Sequence, residues 1–248
     1  MNNYGVRAQG YQGALGLPRE LFVHETPNLA ASPRLNEKSS AVVTQHDNGT
    51  FSARTLGVRA LDDVVAALRK SAKKHYAVPD KRGGGTSFLR ARSAHFSLHA
   101  TLCSVTGPAG VIIRASRSGE EQTRVVYDPE THTISVDRSK SSLITKFAKY
   151  TATGHFFVPA GEKVELDVWV DGSLVEVFAN GRFALTTRVY PAKADAEGIA
   201  LFGGARWGGV EVWEGIGGVW PERPEDTSDR LVWDGPEVTG NYTYWPGW

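Results

Sequence analysis

The stretch Val164-Glu165-Leu166-Asp167-Val168-Trp169-Val170-Asp171-Gly172-Ser173-Leu174-Val175-Glu176-Val177-Phe178-Ala179-Asn180-Gly181-Arg182-Phe183 decides the fold. Val164, Leu166, Val168 and Val170 alternate with Glu165, Asp167, Trp169 and Asp171, which is the period of a strand with one buried face. Asp171-Gly172 supplies the positive φ angles of a tight hairpin turn, and Asn180-Gly181 supplies a second set. Strands over 164–171, 174–179 and 183–190 therefore form a meander, and Pro191 stops the third.

Other segments extend the pattern. Phe96, Leu98, Ala100 and Leu102 alternate with Ser97, His99 and Thr101. Val111 to Arg114 follow a Gly107-Pro108 break, and Arg124–Tyr127 and Thr133–Val136 flank the turn Asp128-Pro129-Glu130. Ile199–Phe202 and Val210–Trp213 close the series. Short strands separated by Gly, Pro, Asn and Asp predict an all-β chain built as an antiparallel β-sandwich.

One segment departs from that rhythm. Leu61, Val64, Val65, Leu68 and Ala72 recur at helical spacing, with Asp62-Asp63 at the start and Arg69, Lys70, Lys73 and Lys74 at the end. That charge order suits the helix dipole and predicts one inserted amphipathic helix of about four turns. Residues 216–248 hold four of the seven Trp among Pro and Gly, without periodicity. They are expected to lie extended over a neighbouring surface.

Composition narrows the function. The 248 residues carry 28 Lys+Arg against 27 Asp+Glu, a net charge of +1 that offers no footprint for nucleic acid or an anionic membrane. No apolar run is long enough to span a bilayer, and Met1 to Arg7 do not read as a signal peptide. A single Cys, Cys103, excludes an internal disulfide framework. Twenty-seven Gly, twelve Pro and seven Trp lean towards a carbohydrate-associated β protein.

Three stretches, in order, resemble a known family. They are Gly13-Ala14-Leu15-Gly16-Leu17-Pro18-Arg19-Glu20-Leu21, then Ser135-Val136-Asp137-Arg138-Ser139-Lys140-Ser141-Ser142, then Val168 to Gly181. They resemble the propeller exit and the C-terminal β-sandwich of glycoside hydrolase family 32, the invertases, inulinases and fructosyltransferases. The ending Asn241-Tyr242-Thr243-Tyr244-Trp245 is similar to fungal members. The resemblance implies a remnant of the last propeller blade and a linker at 1–20, a β-sandwich module at 21–215 and the tail at 216–248. It also implies an extracellular glycosidase acting on sucrose or fructan, with no cofactor and with a five-bladed catalytic propeller as partner. A homodimer is a further expectation.

The family's Asn-Asp-Pro and Arg-Asp-Pro motifs and its Glu beside a Cys do not occur here. Tyr127-Asp128-Pro129 echoes one of them but reads as a turn, and Cys103 follows Leu102. No catalytic residue is therefore expected. Retaining glycosidases need two carboxyls about 5–5.5 Å apart. Glu165, Asp167 and Asp171 share a strand face at a spacing of about 6.5–7 Å, but that face is expected to be solvated. Glu176 is a separate candidate, and Glu20 is expected to pair with an Arg. His95 and His99 fall on a strand, so no metal site is expected from the seven His, and Gly83-Gly84-Gly85 reads as a flexible loop.

Two sequons, Asn48-Gly49-Thr50 and Asn241-Tyr242-Thr243, are candidate N-glycosylation sites. Three roles stay open. The chain could be a non-catalytic module supporting the propeller, a free-standing carbohydrate-binding module using Trp169 or Trp207, or a fragment without independent function. The Gly-rich segment 4–21 is expected to be mobile or to self-associate without its blade.

Overall fold

A computed structural model describes residues 14–29 and 41–217. The expectation of a mobile or self-associating segment falls at 4–13 outside those residues, as do Asn241 and the tail from residue 218.

Two antiparallel sheets make up the described chain. The first contains β1 (Arg19–Leu29), β2 (Val42–Gln45) and β3 (Phe51–Ala60) in the order β1-β3-β2. A helix, α1 (Asp62–Lys70), follows. The second sheet contains β4 (Lys74–Val78), β5 (Lys81–Arg82), β6 (Thr86–Arg92), β7 (His95–Ala115), β8 (Thr123–Asp128), β9 (Thr133–Asp137), β10 (Ala152–His155), β11 (Val164–Asp171), β12 (Leu174–Ala179), β13 (Phe183–Arg188) and β14 (Gly198–Glu214). The path runs β10-β9-β8-β7-β11-β12-β13, and β14 joins β7 to β4, β5 and β6. The all-β class with one short helix is as expected.

The large sheet closes over itself because β7 and β14 are long enough to serve both layers. The first half of β7 pairs with β11, from Phe96↔Val170 to Leu102↔Val164, and its second half pairs with β8, from Ala109↔Tyr127 to Ile113↔Thr123. Inward parity switches between them. Phe96, Leu98, Ala100 and Leu102 are buried first, then Ala109, Val111 and Ile113. The switch falls at Gly107-Pro108, read from sequence as a break between two strands; it is a bend within one. Opposite it, β14 is irregular between Gly203 and Ala205. Gly203 has φ +91°, and a Cβ there would lie 2.2 Å from the Pro108 carbonyl oxygen, so only glycine fits. Leu98, Val168 and Val177 from one layer meet Val111, Val125 and Ile134 from the other in a single core.

The meander is as predicted. Leu166 pairs with Ala179 and Asp171 with Leu174, and Val170 and Val177 are buried. Val→Ala at either should cost on the order of 1–3 kcal/mol in a denaturant melt. Asn180 takes a φ of +45°, accepts from Glu165 N at 2.8 Å and donates to the Lys163 carbonyl at 2.8 Å. Asn180→Ala therefore loses both a turn preference and two backbone bonds, for about 1–2 kcal/mol.

One extent differs from expectation, that of the helix. Strands β1, β2 and β3 form a sheet of their own, and the first strand of the large sheet starts at Lys74. Alternation marks β1 and β3 as strands but carries no information on which sheet they join. Helix α1 has nine residues rather than four turns, and Ser71 already lies outside it as its C-cap.

Candidate functional site

The small sheet, helix α1 and one outer layer of the sandwich meet in a joint, and most of the sequence candidates lie in it. On β11, inward Leu166 and Val168 leave Glu165, Asp167, Trp169 and Asp171 on the outer face, as the alternation predicts. Helix α1 lies over part of that face. Val65, Leu68 and Leu17 pack against Trp169, Phe178 and Ala60. The Val58 N–H donates to the Gly181 carbonyl at 2.8 Å, stitching β3 to the meander turn.

The carboxylates of this face are tied up in ion pairs. The Arg69 guanidinium donates to Asp167 at 2.7 Å and to Ser97 Oγ at 3.2 Å, and lies 4.0 Å from the Trp213 ring centroid. His99 reaches Asp167 through Nδ1 at 3.1 Å and Glu165 through Nε2 at 3.2 Å, and Thr101 Oγ1 donates to Glu165 at 2.8 Å. His95 meets Asp171 at 2.7 Å. On the neighbouring strand, Glu211 sits opposite His99 and meets His75 at 3.2 Å. The expected solvated face is thus partly roofed. A retaining pair needs one carboxyl held protonated. Asp167 goes the other way: burial opposes its ionisation, but the hydrogen bond and charge of His99 and the charge and hydrogen bond of Arg69 prevail and hold its pKa below the ordinary range.

His99 shows the complementary effect. Its hydrogen bond to Asp167, against the opposing cost of burial, combines with the charges of Asp167 and Glu165 to raise its pKa, and Arg69 trims the rise. Only an imidazolium can donate to both carboxylates at once. A raised folded value stabilises fully below the ordinary histidine value near 6.5 and is lost as pH rises through the folded value. Depressed Asp167 contributes above its ordinary 3.8 and is lost as pH falls through its folded value. Stability should therefore fall on the alkaline side of pH 6.5, and His99→Gln should flatten that fall in melts recorded from pH 5 to 9.

Glu176, also a candidate from sequence, is buried and serves as an anchor. It accepts from the Leu17 N–H at 2.8 Å and from Arg19 at 2.7 Å, with Thr186 Oγ1 at 3.3 Å. Glu20 pairs with Arg59 at 2.8 Å, the expected Arg partnership. Asp128 accepts from the Glu130 N–H at 2.9 Å and shapes its turn. Gly83 donates to the Ala205 carbonyl at 2.7 Å. Among the described residues no group of three or more His, Cys, Asp or Glu is placed to hold a metal ion.

The two tryptophans proposed as sugar platforms are not available. Trp207 is 1% exposed within the main core, and Trp169 is 7% exposed beneath the joint. Stacking a sugar needs an open ring face, whereas Trp207 packs in the core and Trp169 packs beneath helix α1 with the Arg69 guanidinium 5.4 Å from its ring centroid. Asn48 lies exposed on the β2–β3 turn.

Sequence reasoning missed the outer face of the small sheet. Leu21, Val23, Val42 and Leu56 are between 59% and 74% exposed. Val23 pairs with Leu56, and Val42 pairs with Arg54, two residues along, so the four share one side. On the other side, Phe22 comes within 3.4 Å of a Cβ position at Gly181. One side carries Phe22 and the buried Ala53, and the other exposes these four aliphatic side chains beside the Arg54–Glu25 ion pair. Alternation in 21–24 hides this, because Leu21-Phe22-Val23 reads as one apolar run.

The sequence profile described as "Glycosyl hydrolases family 32 C terminal" matches residues 64–214. The chain belongs to glycosyl hydrolase family 32. An "Acid beta-fructofuranosidase 2, vacuolar" of a Rosa hybrid cultivar is 30% identical over 215 residues, covering 80% of this chain and 31% of that protein. The crystal structure of an Aspergillus kawachii β-fructofuranosidase complexed with glycerol superposes with a TM-score of 0.76 at 29% identity, over 89% of this chain and 41% of that one. A fructosyltransferase from A. japonicus gives 0.73 at 30%, over 88% and 38%. The chain thus spans about a third to two-fifths of the length of these family 32 relatives.

Proposed function

We propose that this chain is the non-catalytic C-terminal module of a family 32 β-fructofuranosidase or fructosyltransferase. Its role is to support a catalytic propeller that processes β-fructosyl groups of sucrose or fructans, outside the cell or in a vacuole. The observation that carries this reading is the uncovered apolar side of the small sheet. A sheet with apolar side chains on both faces is stable in water only when a layer covers each. The sandwich joint covers one, and the remaining three-fifths of a family 32 chain is the natural cover for the other. In this reading residues 19–60, not 1–20 alone, belong to the last blade, and the joint at Ala60, Trp169 and Phe178 holds blade and sandwich together. A free-standing sugar-binding module loses its support with the burial of Trp169 and Trp207.

The purified chain should release no fructose from sucrose, inulin or levan, because no positioning by a sandwich replaces a nucleophile and an acid. Turnover that vanished on Asp167→Asn would overturn the reading. The cover is tested with the separately expressed propeller portion of the Aspergillus kawachii enzyme. It should co-purify with this chain, and Leu56→Asp should weaken that capture at least tenfold. A stable dimer of this chain, abolished by Leu56→Asp and indifferent to the propeller, would assign the face to a second copy instead.

A further inference from the structure

The Asn48-Gly49-Thr50 turn is a motif that neither the joint nor the apolar face uses. It joins β2 to β3 at the end of β3 remote from the sandwich. The joint is at Ala60, nine residues along, or about 30 Å in strand conformation. The turn is closed locally: the His46 N–H donates to the Thr50 carbonyl at 2.8 Å and the Gly49 N–H to the His46 carbonyl at 2.9 Å. Gly49 has φ +78°, and a Cβ there would meet nothing within 4 Å, so the surroundings of the turn are open.

The side-chain chemistry is specific. Asn48 Oδ1 accepts from the Thr50 N–H at 3.0 Å and from Thr50 Oγ1 at 2.7 Å. A backbone N–H can be received only by the amide oxygen, so the amide orientation is fixed by its partner. Nδ2, the atom that a glycosyl transfer would modify, takes part in neither bond and lies on an exposed residue. The hydroxyl that the acceptor motif requires at the third position donates to the same side chain, leaving Nδ2 outward of the bonds that close the turn. Gly49 also leaves room at the middle position, where Pro would forbid the turn.

We propose that Asn48 is an N-glycosylation site. In the transfer, Nδ2 attacks the anomeric carbon of a lipid-pyrophosphate-linked oligosaccharide. A C–N bond forms as the C–O bond to phosphate breaks, the lipid pyrophosphate leaves with that electron pair, and the amide proton passes to a base of the transferase. No electron is gained or lost overall. The finished glycan stands at the tip of the hairpin, beyond the joint with the sandwich, so the folded module carries it without a clash.

The test is expression of the full chain behind a secretory leader in a eukaryotic host, with Asn241→Gln included so that only one sequon remains. Supplying the leader separates this proposal from the reading of where the protein resides. The folded, secreted protein should carry one glycan at residue 48, removed by peptide-N-glycosidase with an aspartate left in its place. Asn48→Gln and Thr50→Ala should each abolish the mass increase, while Thr50→Ser should keep it. A secreted protein of unmodified mass overturns the proposal, and so does a glycan that survives Thr50→Ala.

Discussion

Glu121→Ala is expected to be the most damaging single substitution in the sandwich, lowering its stability by roughly 3–5 kcal/mol. Glu121 is fully buried between β7 and β8, and its carboxylate is shared among three backbone donors. Oε1 accepts from the Leu143 N–H at 2.7 Å and the Ala192 N–H at 2.8 Å, and Oε2 accepts from the Lys193 N–H at 2.8 Å. Two distant loops are thus held by one side chain. Removing it leaves three partly buried N–H groups without their acceptor and opens a gap where a carboxylate was packed. Glu121→Gln keeps the volume but presents one NH₂ to donors, so it should recover only part of the loss. Urea melts of the three proteins check the order. Equal midpoints would mean that water replaces the carboxylate at no cost.

The contrast between what sequence did and did not predict follows from which interactions are local. The meander is readable because its turns take positive φ locally, at Gly172 (+55°) in the first and at Asn180 (+45°) and Gly181 (+62°) in the second. Gly107-Pro108 was misread because Pro usually ends a strand, while here the chain spends it at the corner where β7 passes between layers. Trp169 was placed on the correct face by alternation. What covers that face is helix α1, a tertiary fact that no period reveals. Trp207 escaped any pattern, because β14 shifts register on both sides of it. In the His99–Asp167–Arg69 cluster, His99 meets Asp167 across the β7–β11 pairing, 68 positions apart along the chain, and Arg69, 98 positions from Asp167, joins them only once α1 has docked. The family resemblance identifies the module but not the small sheet, since the motif that carries it stops at Leu21 and β3 has no comparable signature.

Glu176→Ala should have its largest effect not on the core but on the joint. Among the described residues this buried carboxylate bonds the backbone of Leu17, the guanidinium of Arg19 and the hydroxyl of Thr186, so it fixes the chain as it enters β1. Gly16 lies so close that a Cβ there would sit 2.7 Å from Glu176 Oε1. Burying a carboxylate is costly unless its partners are in place, and the partners are equally stranded without it. Arg19 is one-third exposed, so water recovers part of its charge, and the expected loss is on the order of 3 kcal/mol. Because β7, β11 and β12 keep their own core, the loss should appear as local opening. Hydrogen exchange should accelerate about a hundredfold at residues 17–26 while Leu98, Val168 and Val177 keep their protection. Gly16→Ala should produce a weaker version of the same signature by pushing the segment away from Glu176. Acceleration spread evenly over both sheets would mean that the small sheet and the sandwich unfold as one unit and that the anchor does not act on the joint in particular.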